Sequence, residues 1–250
     1  MSVEPLLPGE RESLRTLLEI HRPGDAMVSY YALEHPASKT KIWVYRSAEG
    51  RKDGFLIRAQ TGQDLFRPLV TLRAPGSASA AGLLQAAFPS PAPAIFSIPE
   101  SLGLWVLPLL TVEPPTRVLL YRLNPARLEP VVNILVSRAS SPDGLPRYEI
   151  RNEERLLAAA GVNWQSSVWA EIFVQTDPAV RERGYGKSVC AALCRDLLER
   201  KKDILYSLEE DNLSSLRLAQ ELGFEDTGER EINFTGSVLA PPPVESGGAA

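Results

Sequence analysis

The sequence predicts a mixed α/β fold, and three observations carry that expectation. Short runs rich in β-branched and aromatic residues, such as Lys41 to Arg46 and Trp169 to Val174, alternate with segments of helical periodicity. Proline and glycine punctuate the gaps between them, as at Pro75-Gly76 and Gly184-Tyr185-Gly186. The order of elements in residues 1–124 is also loosely repeated in residues 125–238, each half carrying a strand, a glycine-bearing turn and a helix. A degenerate internal duplication explains that order; an α/β cap unrelated to the C-terminal half is the alternative.

The first helix is expected at Glu10 to His21, with Leu14, Leu17, Leu18 and His21 on one side and Pro23-Gly24 as its end. Lys41 to Arg46 and Gly54 to Ala59 read as strands joined by a polar turn, and Leu69 to Arg73 as a third. Ser79 to Phe88 is a short Ala/Leu helix, followed by a proline loop and strands at Ala94 to Ile98 and Arg117 to Leu123. A break at Asn124-Pro125 to Pro130 ends the first domain, 1–124. The second, 125–238, opens with strands at Val131 to Ser137, Arg147 to Arg151 and Leu157 to Trp164, the first two joined by Pro142-Asp143-Gly144. Then come the strand Trp169 to Val174, a helix from Lys187 to about Arg200, the strand Ile204 to Leu208, a helix Leu213 to Leu222 and the strand Glu229 to Phe234. Residues 239–250 are proline and glycine rich and read as a disordered tail.

Composition excludes several function classes. A formal charge of −4 gives no basic footprint for nucleic acid. The longest apolar run, Leu102 to Val112, is about half a bilayer span and holds Pro108, so no membrane partner is expected. The N-terminus has acidic residues and no basic-then-apolar signal segment, which leads to a cytoplasmic expectation. Cys190 and Cys194 lie one helical turn apart on an apolar stripe with Val189, Leu193 and Leu197; they read as core thiols, and no metal site is expected.

Function concentrates in Arg181-Glu182-Arg183-Gly184-Tyr185-Gly186-Lys187. A strand leading through a two-glycine loop into a helix aims several backbone N–H groups at one point, and the helix dipole makes that point attractive to a phosphate. Arg181, Arg183 and Lys187 add full charges. A dinucleotide fingerprint would need glycine at 189, which is Val. A triphosphate loop ends Gly-Lys-Ser, as Gly186-Lys187-Ser188 does, but its first glycine would fall on Arg181.

A third pattern fits better. Arg181-x-x-Gly184-x-Gly186 resembles the R/Q-x-x-G-x-G/A loop of the GCN5-related N-acetyltransferases (GNAT), with Val174-x-Thr176-x-Pro178 before it and Asn212-x-x-Ser215 and Leu222-Gly223-Phe224 after it, in that family's order, over residues 131–234. The resemblance implies a mixed, mostly antiparallel twisted sheet with flanking helices, two such halves in tandem if the duplication holds. Its fourth and fifth strands, here Trp169 to Val174 and Ile204 to Leu208, would diverge to admit the pantetheine arm of acetyl-coenzyme A or another acyl-coenzyme A. It further implies cofactor contacts from Phe173 and Val174 on the strand. Pyrophosphate contacts would come from Arg181, Arg183, Gly184, Tyr185, Gly186, Lys187 and Ser188, and further contacts from Asn212 and Ser215. A backbone N–H of Val174 aimed at the thioester oxygen would stabilise the oxyanion.

For proton transfer, Glu171 is a carboxylate in an otherwise apolar strand beside the expected thioester slot, where burial would raise its pKa toward that of a useful base. A salt bridge or a wet sheet surface is the bland alternative for it. The family's Tyr, four residues before the last glycine, is Ala219 here; Tyr206 or Ser214 could supply the leaving thiolate's proton instead. The expected activity is N-acyl transfer to a small-molecule or peptide amine by direct attack, with a homodimer left open. The rival is a non-catalytic acyl-coenzyme A-binding or regulatory protein.

Overall fold

Pro23 opens a helix rather than closing one. Its missing N–H falls at a position where the helix has no acceptor to offer, and its fixed φ suits the first turn. The expected helix Glu10 to His21 is therefore replaced by a 3-10 segment, Pro8–Leu17, a short connection and α1, Pro23–Ser29. The computed structural model describes residues 2–239 except Gln63, Pro130, Val132, Pro142 and Asp143. The tail from residue 240 and the Pro142-Asp143 part of the expected turn lie outside the described residues.

In chain order the elements are β1 (Ser2–Pro5), α1, β2 (Thr40–Arg46), β3 (Lys52–Ala59), β4 (Leu69–Arg73), α2 (Ser77–Ala87), β5 (Pro93–Pro99), α3 (Gly103–Val106), β6 (Leu110–Val112) and β7 (Thr116–Leu123). They continue with β8 (Ser137–Ser140), β9 (Pro146–Asn152), β10 (Arg155–Gln165), β11 (Trp169–Thr176), α4 (Tyr185–Glu199), β12 (Asp203–Glu209), α5 (Leu213–Glu221) and β13 (Phe224–Val238). The expected strand Val131 to Ser137 is not one. Asn133 Oδ1 accepts the Leu135 N–H and the Asn133 carbonyl accepts the Val136 N–H, so the chain turns there and the strand begins only at Ser137.

Two compact units result, with bounds unlike the expected division at 124. One comprises the residues up to Leu17, His35–Pro115 and the described residues from Ile232; the other comprises Leu18–Glu34 and Thr116–Glu231. The first unit's sheet runs β1-β2-β3-β4-β5 and then the end of β13, which β6 also pairs. Neighbours are antiparallel from β1 to β4 and parallel at β4–β5. Its core packs Leu72, Leu83, Leu84, Phe96, Ile98 and Val106, with Phe96 stacked 5.0 Å from Phe234.

The second unit's sheet runs β8-β9-β10-β11-β12-β7 and then the start of β13. It is antiparallel at β8–β9, β9–β10, β10–β11 and β12–β7, and parallel at β11–β12. One face is covered by α4 and α5 over Ala170, Ile172, Val189, Cys190, Cys194, Ile204 and Tyr206. Both cysteines are free and fully buried there. The other face carries Trp164, Trp169 and Leu205, packed with Ala26 of α1. Trp169 fixes the 18–34 segment to its unit, since its indole N–H donates to the Ile20 carbonyl at 2.8 Å. Glu34 does the same from the far end, accepting from the Ser167 backbone N–H at 2.7 Å and its hydroxyl at 2.8 Å.

Both units thus repeat three antiparallel strands, a helix and a strand parallel to the third: β2-β3-β4-α2-β5 and β9-β10-β11-α4-β12. No described helix is long and apolar enough to cross a membrane.

Candidate functional site

The site begins where β11 and β12 part. Their parallel pairing covers only Trp169 with Asp203, Ala170 with Ile204 and Glu171 with Leu205. Beyond Glu171, β11 stays paired to β10 as far as Thr176, and β12 stays paired to β7 as far as Glu209. Each strand keeps its outer partner while leaving its inner one, so a wedge opens with backbone polar groups along both inner edges. Such groups want a hydrogen-bonding occupant.

The wedge leads into a cavity of about 850 Å³ on the face carrying α4 and α5, lined by Val174, Arg181, Gly184, Tyr185, Gly186, Lys187, Tyr206, Asn212 and Ser215 among the expected residues. The start of α4 faces it. Gly184 is the N-cap, with φ +75°, and no side chain caps that helix. At the start of α5, by contrast, Asn212 Oδ1 accepts the Ser215 N–H; α2 begins on a glycine with no side-chain cap either, its Ser79 hydroxyl bonding only the two Gly76 backbone groups. The first-turn amides of α4 are therefore turned toward open space, the arrangement that favours an anion.

The two glycines serve different purposes. A Cβ on Gly184 would meet nothing within 4 Å, so the backbone there is open to a ligand. A Cβ on Gly186 would fall 2.8 Å from Thr176 Oγ1; that glycine lets α4 sit close against β11. Glu182, also lining the cavity, adopts φ +64°, a conformation costly for a residue with a side chain.

Four expected residues lie off the cavity lining. Ser188 is buried, its hydroxyl donating to the Gly184 carbonyl at 2.9 Å and accepting from Asn133 Nδ2 at 3.1 Å, so it braces the first turn. Arg183 is exposed in the loop. Phe173 turns its ring to the opposite face, across Gly161. Glu171 shares that opposite face, at the apex of the wedge, opposite Trp164 on β10. Burial pushes its carboxyl above the usual range, opposed by the neighbouring polar groups of Ser207, Asn163 and Trp164, of which Asn163 Nδ2 donates to it at 3.4 Å. Tyr31 belongs to the same neighbourhood: burial and then the Glu171 charge raise its phenol.

On the cavity side, Tyr206 is buried with its ring edge-on to Phe224 at 5.7 Å. Burial pushes its pKa up to about 12, against a hydrogen bond with Ser215 that lowers it. Asn212 works at the strand–helix junction, taking the Ser214 hydroxyl at 2.9 Å as well as the Ser215 N–H. Lys187 lies 3.6 Å from Glu221 of α5. Sequence reasoning missed Glu221 together with Arg217 and Leu218, which also line the cavity. Arg217 and Leu218 lie three and four residues after Ser214, and Glu221 four and three after them, one helical face, and that spacing was the available signal. Just after β12, Glu210 is engaged by Arg117 at 2.6 Å. Among the described residues no group of His, Cys, Asp and Glu could hold a metal ion.

Residues 150–232 match the family described as FR47-like protein. No curated protein matches the chain. A GCN5-related N-acetyltransferase from Sphaerobacter thermophilus is similar in structure with a TM-score of 0.65 at 10% identity, covering 97% of this chain and 96% of that one. A tandem GNAT protein from the clavulanic acid biosynthesis pathway, without AcCoA, gives 0.63 at 15% identity, covering 97% and 99%. An acetyltransferase from the GNAT family of Colwellia psychrerythraea gives 0.55 at 12% identity, covering 96% and 100%. The likeness is one of fold and extends over nearly the whole chain.

Proposed function

We propose, from the premise that the chain has the GNAT fold with an FR47-like C-terminal half, that it is an acyl-coenzyme A-dependent N-acyltransferase whose acyl donor is acetyl-coenzyme A. The observation that carries the reading is the uncapped start of α4 facing a cavity that continues into the β11–β12 wedge. The amides from Gly184 to Lys187, with Arg181, would hold the pyrophosphate, and the inner edge of β11 around Val174 would hold the pantetheine arm.

The acceptor amine would approach from the opposite face, where Glu171 stands at the apex. Glu171 accepts the proton released as the amine nitrogen bonds to the thioester carbon, and a raised pKa suits a base working near neutrality. A β11 backbone N–H at Val174 stabilises the oxyanion. As the carbon–sulfur bond breaks, Tyr206 can donate its proton to the departing thiolate, because a phenol with a pKa of about 12 stays protonated at neutral pH. Tyr206 thereby supplies a hydroxyl that position 219, a buried Ala, lacks. That hydroxyl favours the enzyme over a non-catalytic coenzyme A binder. The test is release of coenzyme A thiol from acetyl-coenzyme A across a panel of primary amines. Amine-dependent release supports transfer; tight coenzyme A binding with no release from any amine supports the binder.

A further inference from the structure

Resting on the acyl-transfer reading, the wall of the Glu171 face carries a second charge that the reaction does not use. β9, β10 and β11 align Arg147 opposite Gly161 and Gly161 opposite Phe173. The missing side chain at Gly161 lets the Phe173 ring lie across β10; a Cβ there would meet that ring at 2.7 Å. The Arg147 guanidinium sits 5.7 Å from the centroid of the same ring. Glu149, nearly fully buried, takes Arg147 Nε at 2.6 Å on one carboxylate oxygen and Arg151 Nε at 2.6 Å on the other. Burial alone would raise the Glu149 pKa, and the two guanidinium groups outweigh it. Two cations on one carboxylate leave one positive charge in excess.

That excess is presented at Arg147. Arg151 spends a further N–H on the Glu154 carbonyl at 3.0 Å. Among the described residues Arg147 is hydrogen-bonded through Nε alone, so the terminal fork of its guanidinium is left to project past Phe173, with the side chain 27% exposed. The stem is held by Glu149 and the ring, so little rotamer freedom is lost when the fork meets a planar anion. Phe173 lies two residues from Glu171 on the same strand face, about 7 Å along it, and the guanidinium lies further across the sheet.

We propose that the acceptor is an amine that also carries a carboxylate several bonds from its nitrogen, with Arg147 holding the carboxylate while the nitrogen reaches Glu171. Arg147 is then a specificity residue, and acceptors without the anion bind more weakly.

The experiment is calorimetric titration of the full chain, alone and saturated with coenzyme A. The probes are straight-chain ω-amino carboxylates of graded length, beginning with β-alanine, each against its own carboxamide. At least one carboxylate is expected to bind at least about tenfold more tightly than its amide, the size of one charge-assisted hydrogen bond. Arg147→Met, which keeps the stem against Phe173, should abolish that difference, and Arg147→Lys should keep only part of it. Should Arg147→Met melt early, Arg147→Lys carries the comparison. Equal affinity within every pair, or an undiminished difference in a folded variant, overturns the proposal. Failure of the folded wild type to bind coenzyme A overturns the acyl-transfer reading instead, and the titrations of the unsaturated chain still decide the role of Arg147.

Discussion

Glu171 and Tyr206 stand on neighbouring strands at the apex of the wedge but face opposite sides of the sheet, one toward the proposed acceptor and one toward the cavity. That division separates their expected phenotypes. Glu171→Gln should lower kcat/KM by about 10²–10⁴-fold, the usual worth of a general base, while coenzyme A affinity stays unchanged by calorimetry. The wild-type rate should fall as pH drops through a pKa above the ordinary carboxylate range, because only the ionised carboxyl accepts a proton and burial raises its pKa; the variant should lack that limb. Tyr206→Phe should lower kcat at the bottom of the same range or below it, since a thiolate leaves readily, and should add no alkaline limb to lose, as Tyr206 titrates only near 12. Equal kcat in wild type and Tyr206→Phe would remove the phenol from the chemistry.

At the scale of elements, α4 is held in place by one glycine and left open by another. Gly186→Ala should cost about 1–3 kcal/mol in urea unfolding, because the new methyl must displace Thr176 or lift the helix from β11. Gly184→Ala meets no atom, so its cost is only the left-handed backbone, about 1–2 kcal/mol, partly offset by a less flexible unfolded chain. Glu221 of α5 currently engages Lys187, and Glu221→Gln should free that ammonium and tighten coenzyme A binding a few-fold, an effect that fades with added salt. The Arg181 to Lys187 loop and its helix were legible because glycine and charge spacing is local information. The partnership of Lys187 with Glu221 was not, since it depends on how two helices meet. Pro23 was misread for a related reason: the same residue ends one helix pattern and begins another, and only the packing of Ala26 against Trp164 and Trp169 decides between them.

At the scale of the whole molecule, each compact unit draws on separate stretches of the sequence, so their bounds differ from the expected division at residue 124. The 18–34 segment reads as N-terminal in sequence yet supplies one cover of the C-terminal unit's sheet. Trp169→Phe should therefore destabilise the protein by about 1–3 kcal/mol, because it strips the indole donor from the Ile20 carbonyl; an unchanged urea midpoint would show that the segment is not anchored there. The repeated strand–helix–strand order was visible from the sequence, but the difference between the units was not. In the first, Leu72, Ile98 and the Phe96–Phe234 stack are packed core; in the second, the start of the corresponding helix lines a cavity. The proposed coenzyme A site is that cavity, and one titration tests it most directly. Acetyl-coenzyme A added to the wild type should give saturable heat, and added to a folded Gly184→Asp variant should give none, since the new carboxylate would occupy the pyrophosphate's place at the start of α4. Equal affinity in the two proteins would contradict the account.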